Sequence, residues 1–162
     1  MQLGILGEKV LSSILGLRSD VLAVIVFGSY VYMGRGRDLD IIVVVKDYKK
    51  DPFRDSIELR MSLHKKLGYR PYLDIHVLTL EDFRKNLEVG TFLTGLALGY
   101  KILYDNTGYI EELIIEFLKR IADTGYTLIN KYGEWRLHKH ARILLKKLEQ
   151  HKKTSIQLWY RE

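Results

Sequence analysis

Two short runs of β-branched residues constrain this chain more than anything else in it. Val21-Leu-Ala-Val-Ile-Val-Phe27 and Leu39-Asp-Ile-Ile-Val-Val-Val45 are too short for buried helices and almost continuously apolar where they are not interrupted by acid. Such runs are read as strands covered on both faces. Each ends in something unlike a strand. The first closes on Gly28-Ser29, and the second opens on Asp38 and Asp40. The strand period of two puts Asp38 and Asp40 on one face and Leu39, Ile41, Val43 and Val45 on the other. Aspartate is a poor strand residue, and neighbouring carboxylates repel. A pair like this is tolerated at a wet strand end or where a cation neutralises it.

A third run, Tyr72-Leu-Asp-Ile-His-Val-Leu78, alternates in the same way. Leu73, Ile75 and Val77 share one face, and Asp74 and His76 share the other. If this strand lies beside the Asp38 strand, three carboxylates meet in one cleft. They could not all stay ionised there without a metal, because like charges raise each other's pKa. Oxygen donors with open positions suit Mg2+, which takes one or two carboxylates plus phosphate oxygens and water. Gly28-Ser29, between a strand and a helix start, makes a phosphate cradle plausible, since glycine lets backbone N–H groups approach an anion. Gly34-Arg35-Gly36-Arg37 is a turn. Its arginines stand equally as solvated residues or as phosphate contacts.

Apolar residue, Gly28-Ser29, spacer, Asp38-x-Asp40 and then a lone Asp74 in a later apolar strand resemble the signature of the DNA polymerase β-like nucleotidyltransferases. The size resembles their minimal members, and the resemblance covers roughly the first two-thirds of the chain. It implies an α/β (α+β) fold, with a small mixed sheet, helices packed on it and a helical C-terminal extension. It also implies that Gly28 and Ser29, with Arg35 and Arg37 nearby, hold a nucleoside triphosphate, ATP by expectation. Asp38, Asp40 and Asp74 would hold two Mg2+ ions and carry NMP transfer, with Asp74 taking a proton from the acceptor hydroxyl. Small members of this kind serve as antitoxins, commonly adding AMP to a HEPN-type partner RNase. The spacer is short: only Tyr30 to Arg37 separate Ser29 from Asp38. Two other readings stay open: an inactive binding module of the same fold, and an RNA-binding protein.

Composition sets the remaining bounds. A length of 162 residues with 47% hydrophobic content fits one folded domain, read here as a core over 1–106 and a helical extension over 107–162. The absence of cysteine rules out disulfides and thiolate metal sites, and fits a reducing, cytoplasmic setting. No stretch reaches the length of a membrane span, and Glu8 and Lys9 break the apolar N-terminal stretch where a signal-peptide core would lie. The net charge of +6 falls entirely in the last fifth of the chain, with Arg136, Lys139, Arg142, Lys146, Lys147, Lys152 and Lys153 on one helix. A run of this kind is usually a solvated helix face; the functional alternative is a surface for RNA or an acidic partner.

The remaining elements follow from periodicity. Leu3, Leu6, Val10, Ile14 and Leu17 predict an amphipathic helix. A crossover helix is expected over 53–67, with Phe53, Ile57, Met61 and Leu67 along one side. Thr79 is read as an N-cap, with a buried segment following over 89–98. A short edge strand is expected over 101–104, and helices over 109–122 and 135–151. Tyr30 and Tyr32 are assigned to core packing, with stacking on a base as the alternative, and His76 to the surface, with lining the cleft as the alternative.

Overall fold

The computed structural model describes residues 3–131 and 133–159, with side chains to position 153. Four strands form a mixed sheet in the order β3-β2-β1-β4: β1 (Val21–Phe27), β2 (Asp38–Val45), β3 (Tyr72–Thr79) and β4 (Tyr100–Asp105). β1 pairs antiparallel with both β2 and β4, whereas β2 and β3 run parallel. A parallel pair needs a crossover, and α3 (Pro52–Leu67) supplies it. The expected strands and fold class are therefore present, with the edge strand longer by a residue at each end.

Both faces of the sheet are covered, which is why its central strands read as near-continuous apolar runs. On one face Val24, Val26, Leu39, Ile41, Val43, Ile75 and Val77 pack with α1 (Leu3–Leu17), through Leu6, Val10 and Ile14, and with Leu59 and Leu63 of α3. On the other, Ala23, Ile25, Phe27, Ile42 and Val44 meet α5 (Ile110–Thr124), α6 (Leu137–Trp159), and a 3-10 helix over Phe92–Leu98. The short α4 (Leu80–Asn86) adds Phe83 to this second core, and the Thr79 hydroxyl caps it by accepting from the Asp82 N–H. Each such apolar side chain removed from water contributes about 1.5–3 kcal/mol. No helix among the described residues is long and apolar enough to cross a membrane.

Three features depart from the periodicity. Phe53 and Met61 face solvent, at 72% and 53% exposure, and α3 buries Asp55, Leu59, Leu63 and His64 instead. A carboxylate occupies the inner face because Arg18 reaches it from the end of α1: Arg18 Nη1 donates to Asp55 Oδ2 at 3.0 Å. The Lys49 and Lys50 N–H groups donate to the same carboxylate at 2.8 and 3.0 Å. Arg18 also forks onto Asp20 and donates to the Asp47 carbonyl. One guanidinium thus ties α1, the start of β1, the loop after β2 and the crossover helix together. The second departure is a small hairpin, β5 (Leu128–Asn130) and β6 (Gly133–Trp135), in the stretch between the two expected helices, which also takes Trp135 from the expected start of the second. The third is α6, which starts two residues later than expected and runs on to Trp159.

Its hydrogen bonds to Lys49, Arg18 and Lys50 outweigh the burial that would raise the Asp55 pKa, and hold it below the usual carboxylate range. A depressed carboxylate contributes stability above its unfolded pKa and loses it as pH falls through the acid range. Replacing Asp55 with Ala leaves Arg18 Nη1 and the Lys49 and Lys50 amides without their acceptor, so urea melts at neutral pH should show a loss of roughly 3 kcal/mol. The gap between Asp55→Ala and wild type should narrow in melts at progressively lower pH below 4, where the wild-type carboxylate itself takes a proton.

Candidate active site

At the C-terminal end of β1 and the N-terminal ends of β2 and β3, the helices of the second face leave the sheet uncovered. The pairing register determines what lies there. Phe27 pairs with Asp40 across β1 and β2, so the chain leaving β1 turns directly beside that carboxylate. Asp40 pairs with Asp74 across β2 and β3. Asp38, Asp40, Asp74 and His76 consequently share one end and one face of the sheet. They line a cleft of about 610 Å3 with Gly28, Ser29 and Arg37. This is the size range of small-molecule sites. Arg35, on the same link, is exposed and is not among the lining residues.

The turn is built for close approach. Gly28 sits at φ +84, and a Cβ there would lie 2.6 Å from Asp40 Oδ2. Only glycine allows both the backbone conformation and the contact. Its N–H donates to the Gly99 carbonyl at 3.0 Å, which pins the turn to the segment before β4. The spacer folds as one helical turn, α2 (Ser29–Met33), ended by Gly34 in the left-handed conformation, then a short link into β2. Eight residues are enough to return the chain so that the serine turn and Asp40 face each other. Ser29 opens α2, whose first N–H groups have no partner within the helix.

The acids are electrostatically unequal. Burial, then the neighbouring Asp74, pushes Asp40 up to about 6; His76 opposes the shift and Asp38 adds to it. Asp74 is held low, first by its hydrogen bond with His76, whose Nε2 lies 3.5 Å from Asp74 Oδ2. His76 in turn stacks on Phe92, with ring centroids 4.4 Å apart. The surface assignment of His76 is thus corrected: it lines the cleft and orients a carboxylate. The only sequence signal was its place two residues after Asp74 on the same face.

The cleft also has an apolar wall that the sequence reading missed. Phe92, Gly95 and Leu98 come from the 3-10 helix, Met33 from α2, and Leu128, Asn130 and Trp135 from the β5–β6 hairpin. Thr127-Leu-Ile-Asn, followed by Gly133-Glu-Trp, was the available hairpin signal. Tyr30 is buried in the first core as expected, but Tyr32 is 53% exposed and meets His140 of α6 edge-on at 5.2 Å.

The donor set of three carboxylates fits a hard divalent cation by its chemistry. Among the described residues, no three acidic or histidine side chains are already gathered as a metal cage. The contact between His76 Nε2 and Asp74 Oδ2 occupies part of the donor set. The basic C-terminal stretch is partly structural: Arg142 of α6 donates to the Ala122 carbonyl near the end of α5, and Arg136, just before α6, pairs with Glu134.

No family model and no curated protein matches the chain. Solved structures do, distantly. A complex of a tri-AMPylated Shewanella oneidensis HEPN toxin with MNT antitoxin aligns at a TM-score of 0.46 and 18% identity, over 70% of this chain and 82% of that one. A toxin–antitoxin complex with AMP-PNP aligns at 0.48 and 17%, over 70% and 85%. A toxin–antitoxin complex of MntA and HepT aligns at 0.44 and 16%, over 70% and 82%.

A raised carboxylate pKa means that the ionised form destabilises the fold. Asp40→Asn should therefore raise the melting temperature, and by more at pH 8 than at pH 5. An equal or lower value at pH 8 would show that Asp40 is not under strain. Gly28→Ala should lower stability by about 1 kcal/mol or more through its positive φ and the displaced carboxylate. In a double-mutant cycle with Asp40→Ala, the part due to the clash should disappear.

Proposed function

We propose that this chain is a Mg2+-dependent nucleotidyltransferase that moves NMP, AMP by preference, from a nucleoside triphosphate to a hydroxyl acceptor. The observation that carries it is the register that sets Asp40 beside Asp74 and against Gly28 at the mouth of one cleft. The serine turn binds the phosphates through the Ser29 hydroxyl and the first N–H groups of α2, with Arg37 at the rim. The apolar wall from Phe92 to Trp135 excludes water from one side. Asp38 and Asp40 would hold the metal with Asp74, and two Mg2+ ions, when bound, supply charge neutralisation to the triphosphate and the leaving pyrophosphate.

Asp74 has a second task. His76 keeps it ionised, so it can take the proton from the acceptor hydroxyl as that oxygen approaches the α-phosphorus. Burial, then Asp74, pushes Asp40 up to about 6, so it still holds some proton near neutral pH and gives it up when positive charge arrives; ligation and proton loss are coupled. The resemblance implies a partner protein of HEPN type as one acceptor, with the chain acting as an antitoxin, and that partner is the first to test. Lys139, Lys146 and Lys147 on α6 are exposed or half-exposed and remain open to an acidic partner.

The test is incubation with α-labelled ATP, Mg2+ and the protein encoded beside this one. Label should appear on the partner, and Asp38→Asn, Asp40→Asn, Asp74→Asn or excess chelator should reduce it to background while circular dichroism stays native. Transfer that survives Asp38→Asn or Asp40→Asn refutes the assignment. Calorimetry showing no Mg2+-dependent ATP binding favours a binding module instead.

A further inference from the structure

Two walls of the carboxylate cleft stand on very small elements. One is α2, five residues long, which carries the serine turn at its start and Met33 at its end. The other is the β5–β6 hairpin, three residues to a strand, which contributes Leu128 and Trp135. α2 has anchors of its own: Tyr30 is buried in the first core, and the Gly28 N–H is tied to the Gly99 carbonyl. The hairpin has few. All three residues of β5 are exposed, and only Trp135 of β6 is half-buried. A two-stranded hairpin with so little cover is marginal by itself.

What holds it is the first turn of α6. Leu137 and Ala141 seat that turn in the second core, at 1% and 0% exposure. Ahead of the hairpin, the Tyr126 carbonyl accepts from the His138 N–H at 3.2 Å and lies 3.1 Å from His138 Nδ1. At its far end, Trp135 lies against the His140 ring, with centroids 6.2 Å apart and planes at 40°. The same ring meets Tyr32 of α2 edge-on at 5.2 Å. Both spacings lie in the range where aromatic rings attract. One imidazole therefore stands between the helix that opens on the serine turn and the hairpin wall. Burial lowers the His140 pKa, so the ring is largely neutral at pH 7 and the link is ring packing. Its outer side opens on a cavity of about 400 Å3 with Glu134, Arg136, Lys139 and Ile143, which leaves room for a larger ring.

The two parts of the cleft differ in what they can take. The serine turn and the acids suit phosphates and a cation. Met33, Phe92, Leu98, Leu128 and Trp135 offer no charge, so the nucleoside of a bound triphosphate lies along them. We infer that His140 is a positioning residue: bearing on Tyr32 of the anchored α2, it holds Trp135 and the hairpin where the nucleoside packs against them. It does not line the cleft itself. This rests on the nucleotidyltransferase reading and adds what sets the nucleoside side of its cleft. Loss of the ring frees the hairpin and leaves the phosphate end as it was.

Trp135 is one of two tryptophans, so Trp159→Phe leaves it as the single reporter. In that background and without nucleotide, His140→Ala should shift the emission to longer wavelength as Trp135 loses cover. Calorimetry with Mg2+ should show ATP bound about tenfold more weakly, while inorganic tripolyphosphate stays within about twofold of wild type. His140→Phe should restore both emission and ATP affinity, and His140→Gln, which has no ring, should not. The Phe and Gln variants carry the same comparison where the Ala variant does not fold. Tyr32→Leu should repeat the loss, and His140→Ala/Tyr32→Leu should be no worse than the weaker single variant. Emission that ignores His140→Ala overturns the inference, as does a shifted emission with ATP affinity unchanged; both leave the transferase reading intact. Equal weakening of ATP and tripolyphosphate also overturns it, since that marks general damage to the cleft. Wild-type protein that binds neither ligand with Mg2+ ends the transferase reading and, with it, the nucleoside role of His140.

Discussion

Everything at the cleft follows from forcing Asp40 into a sheet position beside Asp74. Two carboxylates in adjacent registers repel, and one of them is half-buried, so burial and repulsion push its pKa the same way. The sheet can bear this because the rest of β2 is so strongly apolar: Ile41 to Val45 are wholly buried and matched by β1 and β3 on either side. Folding energy is thus concentrated along the middle and far end of the strands, and the unfavourable charge sits at the end the helices do not cover. That division matches what a site needs, since groups held away from their ordinary ionisation are available for binding or proton transfer.

The crossover between the two acidic strands must be positioned as carefully as the strands. Parallel pairing in this register depends on where α3 begins and ends. Its beginning is held by Asp55 through Arg18 and the Lys49 and Lys50 amides, and its end by His64 through the Gly68 carbonyl and the Leu73 amide. Both anchors are polar side chains buried among apolar ones, with their partners on the connecting loops. No buried side-chain nitrogen or oxygen among the described residues lacks a partner. The alignment of Asp40 with Asp74 therefore rests on hydrogen bonds made well away from the cleft, and damage to either anchor would show at the carboxylates.

The strands, the Gly-Ser turn and the three acids were legible because period two and chain order are local signals. The inner face of α3 was not. Counting apolar residues selects Phe53 and Met61, but the helix turns Asp55 inward, and only the distant Arg18 explains why. The hairpin at 128–135 was missed for a related reason. Each strand is three residues long, too short to show alternation, and Trp135 was absorbed into the helical pattern that follows it. As a result one wall of the cleft was invisible from the sequence while its floor was plain. His76 fell between the two: its face was predictable, but its contacts with Asp74 and Phe92 require the fold.

The short spacer between Ser29 and Asp38 takes on a different meaning once the register is known. In an antiparallel pair, the link between strands only has to span the gap from the end of one to the start of its neighbour. Here Phe27 and Asp40 are partners, so a single helical turn and a short return suffice. Brevity then has a consequence of its own. A link that hugs the sheet edge leaves the flank of Asp38 open, and that flank is where a second cavity, walled by Tyr69, Arg70 and Tyr72, joins the first. A longer spacer would have room to cover it. The brevity that returns the turn to the acids also leaves a route to them from the side.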